Sequence, residues 1–149
     1  GTKSYFSDGR LRHGGYVHNG GPSEIMRGFN GDELGHRGLL TVQREVASVS
    51  SSCLMARRKV FERAGGFSPH LNGAAADVDF GLKLGSLRYD RIWTPNVEVV
   101  DFTNVDDPSD DGADRQFLER RWGHQLHDDP YSNSNLQPSR GDWVEAGLR

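Results

Sequence analysis

The sequence predicts an α/β chain: a mixed β-sheet with short helices and long loops. Three observations carry that expectation. Short β-prone runs at residues 5–6, 92–94 and 97–102 are bounded by Gly, Pro and Asp. Helical spacing of apolar residues is confined to brief stretches near 58–64, 77–87 and 115–122. The 19 glycines among 149 residues imply many tight turns between short elements. With 34% apolar residues, 26% charged residues and a mean hydropathy of −0.70, the chain suits one domain with one core. Residues 1–149 are therefore read as a single domain whose last residues, 137–149, form a surface tail.

The elements follow in order. Tyr5-Phe6 and Leu11-Arg12-His13 flank an Asp8-Gly9 pair, a local hairpin signal. Residues 20–38 hold six glycines and Pro22 with little periodicity and read as a long irregular loop, a kind of segment that is usually functional or mobile. Val42, Val46, Val49, Cys53 and Leu54 lie among Ser and Thr, which predicts a strand over 41–55, with a bend allowing two. Val60, Phe61 and Ala64 fit a helix over 58–64 that stops at Gly65-Gly66. The i,i+4 pairs Val78/Leu82 and Phe80/Leu84 predict a second helix over 77–87, with Asp77 near its positively polarised start. Pro95 is expected to split the β-prone residues 92–102 into two strands. A polar, acidic loop over 103–114 precedes a third helix over 115–122, and the residues beyond 130 are expected to wrap the surface.

Composition excludes several classes. No apolar run approaches the ~20 residues of a bilayer-crossing helix, and the first residues lack the apolar core of a secretory signal. The single cysteine excludes an internal disulfide and a multi-cysteine zinc site. A net charge of −3 and a pI near 6.1 give no nucleic-acid footprint.

Asp77-Val78-Asp79 is the first chemical candidate. Carboxylates two apart on a helix diverge, so one can face a cleft as a general base while the other pairs locally; helix capping is the plainer alternative. Asp107-x-Ser109-x-Asp111-Gly112 imitates the opening of a calcium loop, but the bidentate position falls on Leu118, which favours a solvated acidic loop. His124 and His127 could offer two imidazoles to a metal or stand as exposed polar side chains. Cys53 reads as a small packing residue in a buried strand.

Taken in order, these pieces resemble a known family. The run from Val49 through Ser50-Ser51-Ser52-Cys53, Arg57-Arg58, Val60-Phe61 and Gly65-Gly66-Phe67 is similar to a segment of family 2 glycosyltransferases, nucleotide-sugar-dependent enzymes with the GT-A fold. Asp77-Val78-Asp79-Phe80-Gly81-Leu82-Lys83-Leu84, Trp93-Thr94-Pro95, Arg121-Trp122 and Asp129-Pro130-Tyr131 continue it, the later pieces resembling bacterial rhamnosyltransferase and other polysaccharide-biosynthesis members. The resemblance implies a partial GT-A-like fold, the acceptor side of a catalytic domain. The nucleotide-binding strands and the Asp-x-Asp motif are then expected upstream of Gly1, in keeping with the absent initiator methionine.

The resemblance also implies roles. Asp77 falls on the general base of inverting members, taking the acceptor hydroxyl's proton as it attacks the anomeric carbon. Ser51, Ser52 and Cys53 would line the cleft floor, Asp79 would orient the helix or the acceptor, and Arg115, Arg121 and Trp122 would help hold donor or acceptor. Asp101 stands where a metal-contacting histidine is frequent, which suits Mg²⁺ or Mn²⁺. Ala76 replaces the usual Asn or Glu before the base, and Arg88 replaces a glycine common in the turn after the helix. The implied partners are a nucleotide-sugar donor and a glycan or lipid-linked acceptor. The implied setting is the cytoplasm, with peripheral association at the inner face of the membrane for the full-length protein. The isolated chain is then expected to be a poor catalyst, with apolar surface that meets the rest of the fold or a second copy. The alternatives are a non-catalytic carbohydrate-binding module on the same fold and a calcium-dependent module built on the acidic loop.

Overall fold

A computed structural model describes residues 1–18, 20–102 and 112–133. The acidic residues Asp106, Asp107, Asp110 and Asp111 and the tail at 137–149 lie outside the described residues. Strand β1 (Thr2–Phe6) turns through Gly9, at φ +86°, into antiparallel β2 (Leu11–His13), the hairpin expected from Asp8-Gly9. Asp8 fastens the turn by accepting from the Arg10 amide at 3.0 Å and from Arg10 Nε at 2.7 Å. Two short strands, β3 (Tyr16–His18) and β4 (Pro22–Glu24), form a separate antiparallel pair. Strand β5 (Arg44–Glu45) closes one edge of a four-stranded mixed sheet of order β2-β1-β6-β5, in which β6 (Ile92–Asp101) runs parallel to β1 and antiparallel to β5.

Pro95 bends β6 rather than dividing it. The register passes from Thr2↔Thr94 to Lys3↔Glu98, so the extra residues around Pro95 bulge out where the proline has no N–H for the ladder. Two other expectations change as well. Of residues 41–55 only β5 is strand; Ser51–Cys53 forms a 3-10 turn, so Cys53 sits half-buried in a turn instead of a buried strand. The glycine-rich stretch 20–38 carries β4 and a 3-10 turn (His36–Gly38), and it delivers Ile25 and Met26, each 1% exposed, into the core. Those two residues join Leu11, Val17, Val46 and Trp93 in one apolar cluster.

Helix α1 (Arg58–Arg63) ends where Gly65 and Gly66 take φ of +78° and +63°, and the Gly66 amide returns to the Phe61 carbonyl at 3.0 Å. Phe61, Phe67 and Phe80 interlock with ring centroids 4.7–5.6 Å apart and seat α1 on α2. Helix α2 (Gly73–Ser86) begins four residues before the expected start, because Ala74, Ala75 and Ala76 extend it and the Asp114 carboxylate accepts from the Asn72 amide at 3.3 Å. Asp77 therefore lies inside the helix and caps nothing. Helix α3 (Gly112–Trp122), continued by a 3-10 turn (Gly123–Leu126), packs on α2 through a second cluster that holds Leu71, Val78, Leu118 and Leu126. No helix among the described residues is long and apolar enough to cross a membrane.

Arg88 follows the α2 C-cap at φ +59°, in the left-handed region that favours glycine. Its exposed side chain makes Arg88→Gly an expected gain, by about 1 kcal/mol in urea unfolding at unchanged m-value.

Candidate functional site

Asp77 is 3% exposed, and both carboxylate oxygens are met by donors from distant parts of the chain. The Ser51 amide donates to Oδ1 at 3.0 Å and the Tyr16 hydroxyl to Oδ2 at 3.2 Å. The Ser51 amide is available because Ser50 adopts an extended backbone and its hydroxyl accepts from the Ser52 amide at 3.3 Å, which turns residues 51–53 over the carboxylate. Tyr16 is placed by its backbone: its N–H donates to the Ser48 carbonyl at 2.9 Å, and its own carbonyl accepts from Ala47 at 3.2 Å. Burial pushes the Asp77 carboxyl up to about 6, against the opposing pull of the Ser51, Tyr16 and Ser50 bonds. The result is a carboxylate that is ionised at neutral pH and still a useful proton acceptor.

The close approach of β3 and residues 46–48 to α2 depends on Gly81. A Cβ there would collide with Ser48 Oγ and lie 2.7 Å from the Ala47 carbonyl, so this mid-helix glycine is a packing requirement. Ser48 in turn meets His18 Nε2 at 2.9 Å, and the His18 amide donates to Asp129 Oδ2 at 2.7 Å. Desolvation drives His18 down to about 3, so its ring is neutral. Beyond Gly81, a cavity of about 280 Å³ opens between His18, Gly85, Arg91, Asp128 and Tyr131.

Asp79 faces the other way. It is fully buried, receives Ser68 Oγ and Lys83 Nζ at 2.7 Å each on Oδ2, and receives Trp122 Nε1 at 3.0 Å on Oδ1, with Arg121 Nε at 3.5 Å. Burial pushes its carboxyl up, but the bonds from Lys83, Ser68 and Trp122 outweigh burial and hold it below the ordinary range. Lys83 also donates to the Gly66 carbonyl and to Ser68 Oγ, each at 2.9 Å. This knot ties α2 to α3 and to the turn after α1.

The residues singled out from the sequence thus fall into separate places. Ser51, Ser52 and Cys53 share the turn over Asp77, with the two serines exposed at its rim. Asp79, Arg121 and Trp122 form the α2–α3 knot. Arg115 is exposed on α3, near Gly20. Asp101 lies at the end of β6, paired with Arg12 at 2.6 Å. Among the described residues no three His, Cys, Asp or Glu side chains converge as a metal site, and His127 pairs with Glu119 at 2.8 Å. Asp101, expected on the metal side, is held in its ion pair with Arg12. Tyr16 was not legible as a site residue, since 61 positions separate it from Asp77 and no local pattern links them. Lys83 carried a signal: it stands four residues after Asp79 on one helix face.

No family model matches the chain, and no solved structure matches it. Three relatives do. A Sinorhizobium fredii protein named "Uncharacterized protein y4gI" is 27% identical over 162 aligned residues, covering all of this chain and 18% of that protein. An N-acetylglucosaminyl-diphospho-decaprenol L-rhamnosyltransferase of Mycobacterium tuberculosis is 36% identical over 58 residues, 39% of this chain and 19% of that protein. The O-antigen biosynthesis protein RfbC of Myxococcus xanthus is 32% identical over 109 residues, 67% of this chain and 8% of that protein. The chain spans less than a fifth of the length of each of these relatives. Over parts of its length it is similar to proteins named for rhamnosyl transfer and for O-antigen biosynthesis, within a mixed α/β fold.

Proposed function

We propose that this chain is the acceptor-activating part of an inverting glycosyltransferase, which moves a sugar from a nucleoside-diphosphate donor to a glycan or lipid-linked hydroxyl in polysaccharide synthesis. The observation that carries the reading is Asp77: a buried carboxylate with proton affinity raised to about 6, beneath a rim of serine hydroxyls. The names of two relatives support the reaction class. In the proposed step, an acceptor hydroxyl enters beside the 51–53 turn and gives its proton to Asp77. Its oxygen bonds to the anomeric carbon from the face opposite the leaving group, and the nucleoside diphosphate departs with the bonding electron pair. Ser51 and Ser52 offer hydroxyls to orient the acceptor.

The test uses the complete protein with a panel of nucleoside-diphosphate sugars and its own glycan or lipid fraction as acceptor, with product and released nucleotide measured from pH 5 to 9. The expected result is transfer from at least one donor, with a rate that rises through pH 6 as Asp77 ionises and then levels. Donor binding without transfer across the panel would overturn the reading in favour of a carbohydrate-binding role.

A further inference from the structure

We infer that Tyr16 is a positioning residue for Asp77, fixing the orientation of its carboxylate and setting the pH at which that group takes a proton. The role in transfer rests on the reading of Asp77 as the base; control over the titration of Asp77 stands apart from it.

Four observations converge on Tyr16. Its hydroxyl lies 3.2 Å from Asp77 Oδ2, where it can only donate to an ionised carboxylate. The side chain is 2% exposed, so the bond works with little competition from water. The backbone at Tyr16 is clamped on both sides by Ser48 and Ala47, at 2.9 and 3.2 Å. The ring is held edge-on against His13 with centroids 4.3 Å apart. His13 is itself fixed: the Gly15 amide donates to Nδ1 at 3.0 Å, so the ring proton sits on Nε2. Burial drives His13 down to about 3, and it adds no charge beside Tyr16 over the working pH range.

The groups facing Asp77 therefore make a short set. Tyr16 approaches from β3, Ser50 and Ser51 approach from the 3-10 turn, and on α2 itself Asp79 is turned away to Lys83. Of the donors, Ser51 acts through its backbone amide as well as its hydroxyl and sits beside Ser50 on the exposed turn, whereas the Tyr16 bond belongs to one buried hydroxyl. Donation to the ionised form favours that form, so removing the hydroxyl makes Asp77 hold its proton to higher pH. Strengthening the donor does the reverse.

The experiment is a carbon-detected NMR titration of this chain labelled at the aspartate carboxyl carbons, with Asp77 assigned by its loss in Asp77→Asn. Tyr16→Phe is expected to raise the Asp77 midpoint by about one pH unit, and fluorotyrosine at position 16, a stronger donor of the same shape, to lower it. Unmoved midpoints in both would overturn the inference. The fluorinated chain keeps the test decisive where Tyr16→Phe fails to fold. In the complete protein, Tyr16→Phe is expected to move the acid limb of kcat by the same interval with KM within about twofold. A transfer rate unaffected by Asp77→Asn would refute the base assignment while leaving the titration result to decide the role of Tyr16.

Discussion

Asp77→Asn is expected to lower sugar transfer by the complete protein about 10²- to 10⁴-fold, and at the same time to make the chain more stable. The rate loss follows from removing the proton acceptor while keeping shape: the amide retains an oxygen for the Ser51 N–H but cannot take a proton from the attacking hydroxyl. The stability gain follows from where Asp77 titrates. Its folded midpoint of about 6 lies above the ordinary 3.8, so the native state binds the proton more tightly than the unfolded chain does. Ionised Asp77 therefore costs the fold up to about 3 kcal/mol above pH 6, a cost that shrinks as the pH falls from 6 and is gone below the unfolded value near 4. Urea unfolding at pH 8 and pH 4 checks the sign: the variant should exceed the parent at pH 8 and match it at pH 4. A variant that loses transfer and is also less stable at pH 8 would point to a structural role for Asp77.

Asp79→Ala should do the opposite to the fold. Removing this fully buried carboxylate strands the Lys83 ammonium, whose side chain is 10% exposed, and leaves the Ser68 and Trp122 donors without their acceptor. Breaking one member of such a buried set costs about 3–5 kcal/mol. A large drop in the urea midpoint is the expected reading, with a smaller drop in Asp79→Leu/Lys83→Met, where neither charge remains. The pH dependence is also specified. Asp79 is held below the ordinary carboxylate range, so its contribution is complete above pH 4 and is lost on acidification through its lowered folded midpoint. A loss of unfolding free energy under about 1 kcal/mol in Asp79→Ala would show that the α2–α3 contact is carried by Val78, Leu118 and Leu126 instead.

Adjacent acids with opposite duties were legible in part. The i,i+2 spacing of Asp77 and Asp79 predicts that they diverge, and they do: one faces β3 and the serine turn, the other Lys83 and Trp122. The hairpin at Asp8-Gly9 and the stop of α1 at Gly65-Gly66 were readable because both depend on a local backbone conformation that glycine marks. The start of α2 was misplaced because its alanines carry no amphipathic pattern, while the group that meets its first turn, Asp114, lies 42 positions away. Residues 41–55 misled for a similar reason. β-Branched residues report fitness for a pleated surface, but here Val46 is buried by packing against Gly15 and Trp93 without a long ladder. The donor set around Asp77 was illegible in principle, since Tyr16 and Ser51 reach it only through the tertiary path of the chain.

The parallel pairing of β1 with β6 also bears on how the chain comes into being. Lys3 finds its neighbour Glu98 roughly 95 residues later, so β1 leaves the ribosome long before its parallel partner is made, although the β2 hairpin can already form. At 5–20 residues per second, its central edge waits about 5–20 s for a partner. During that interval the Trp93 cluster cannot close, and the nascent chain is at its most exposed to chaperones and to pairing with the wrong strand.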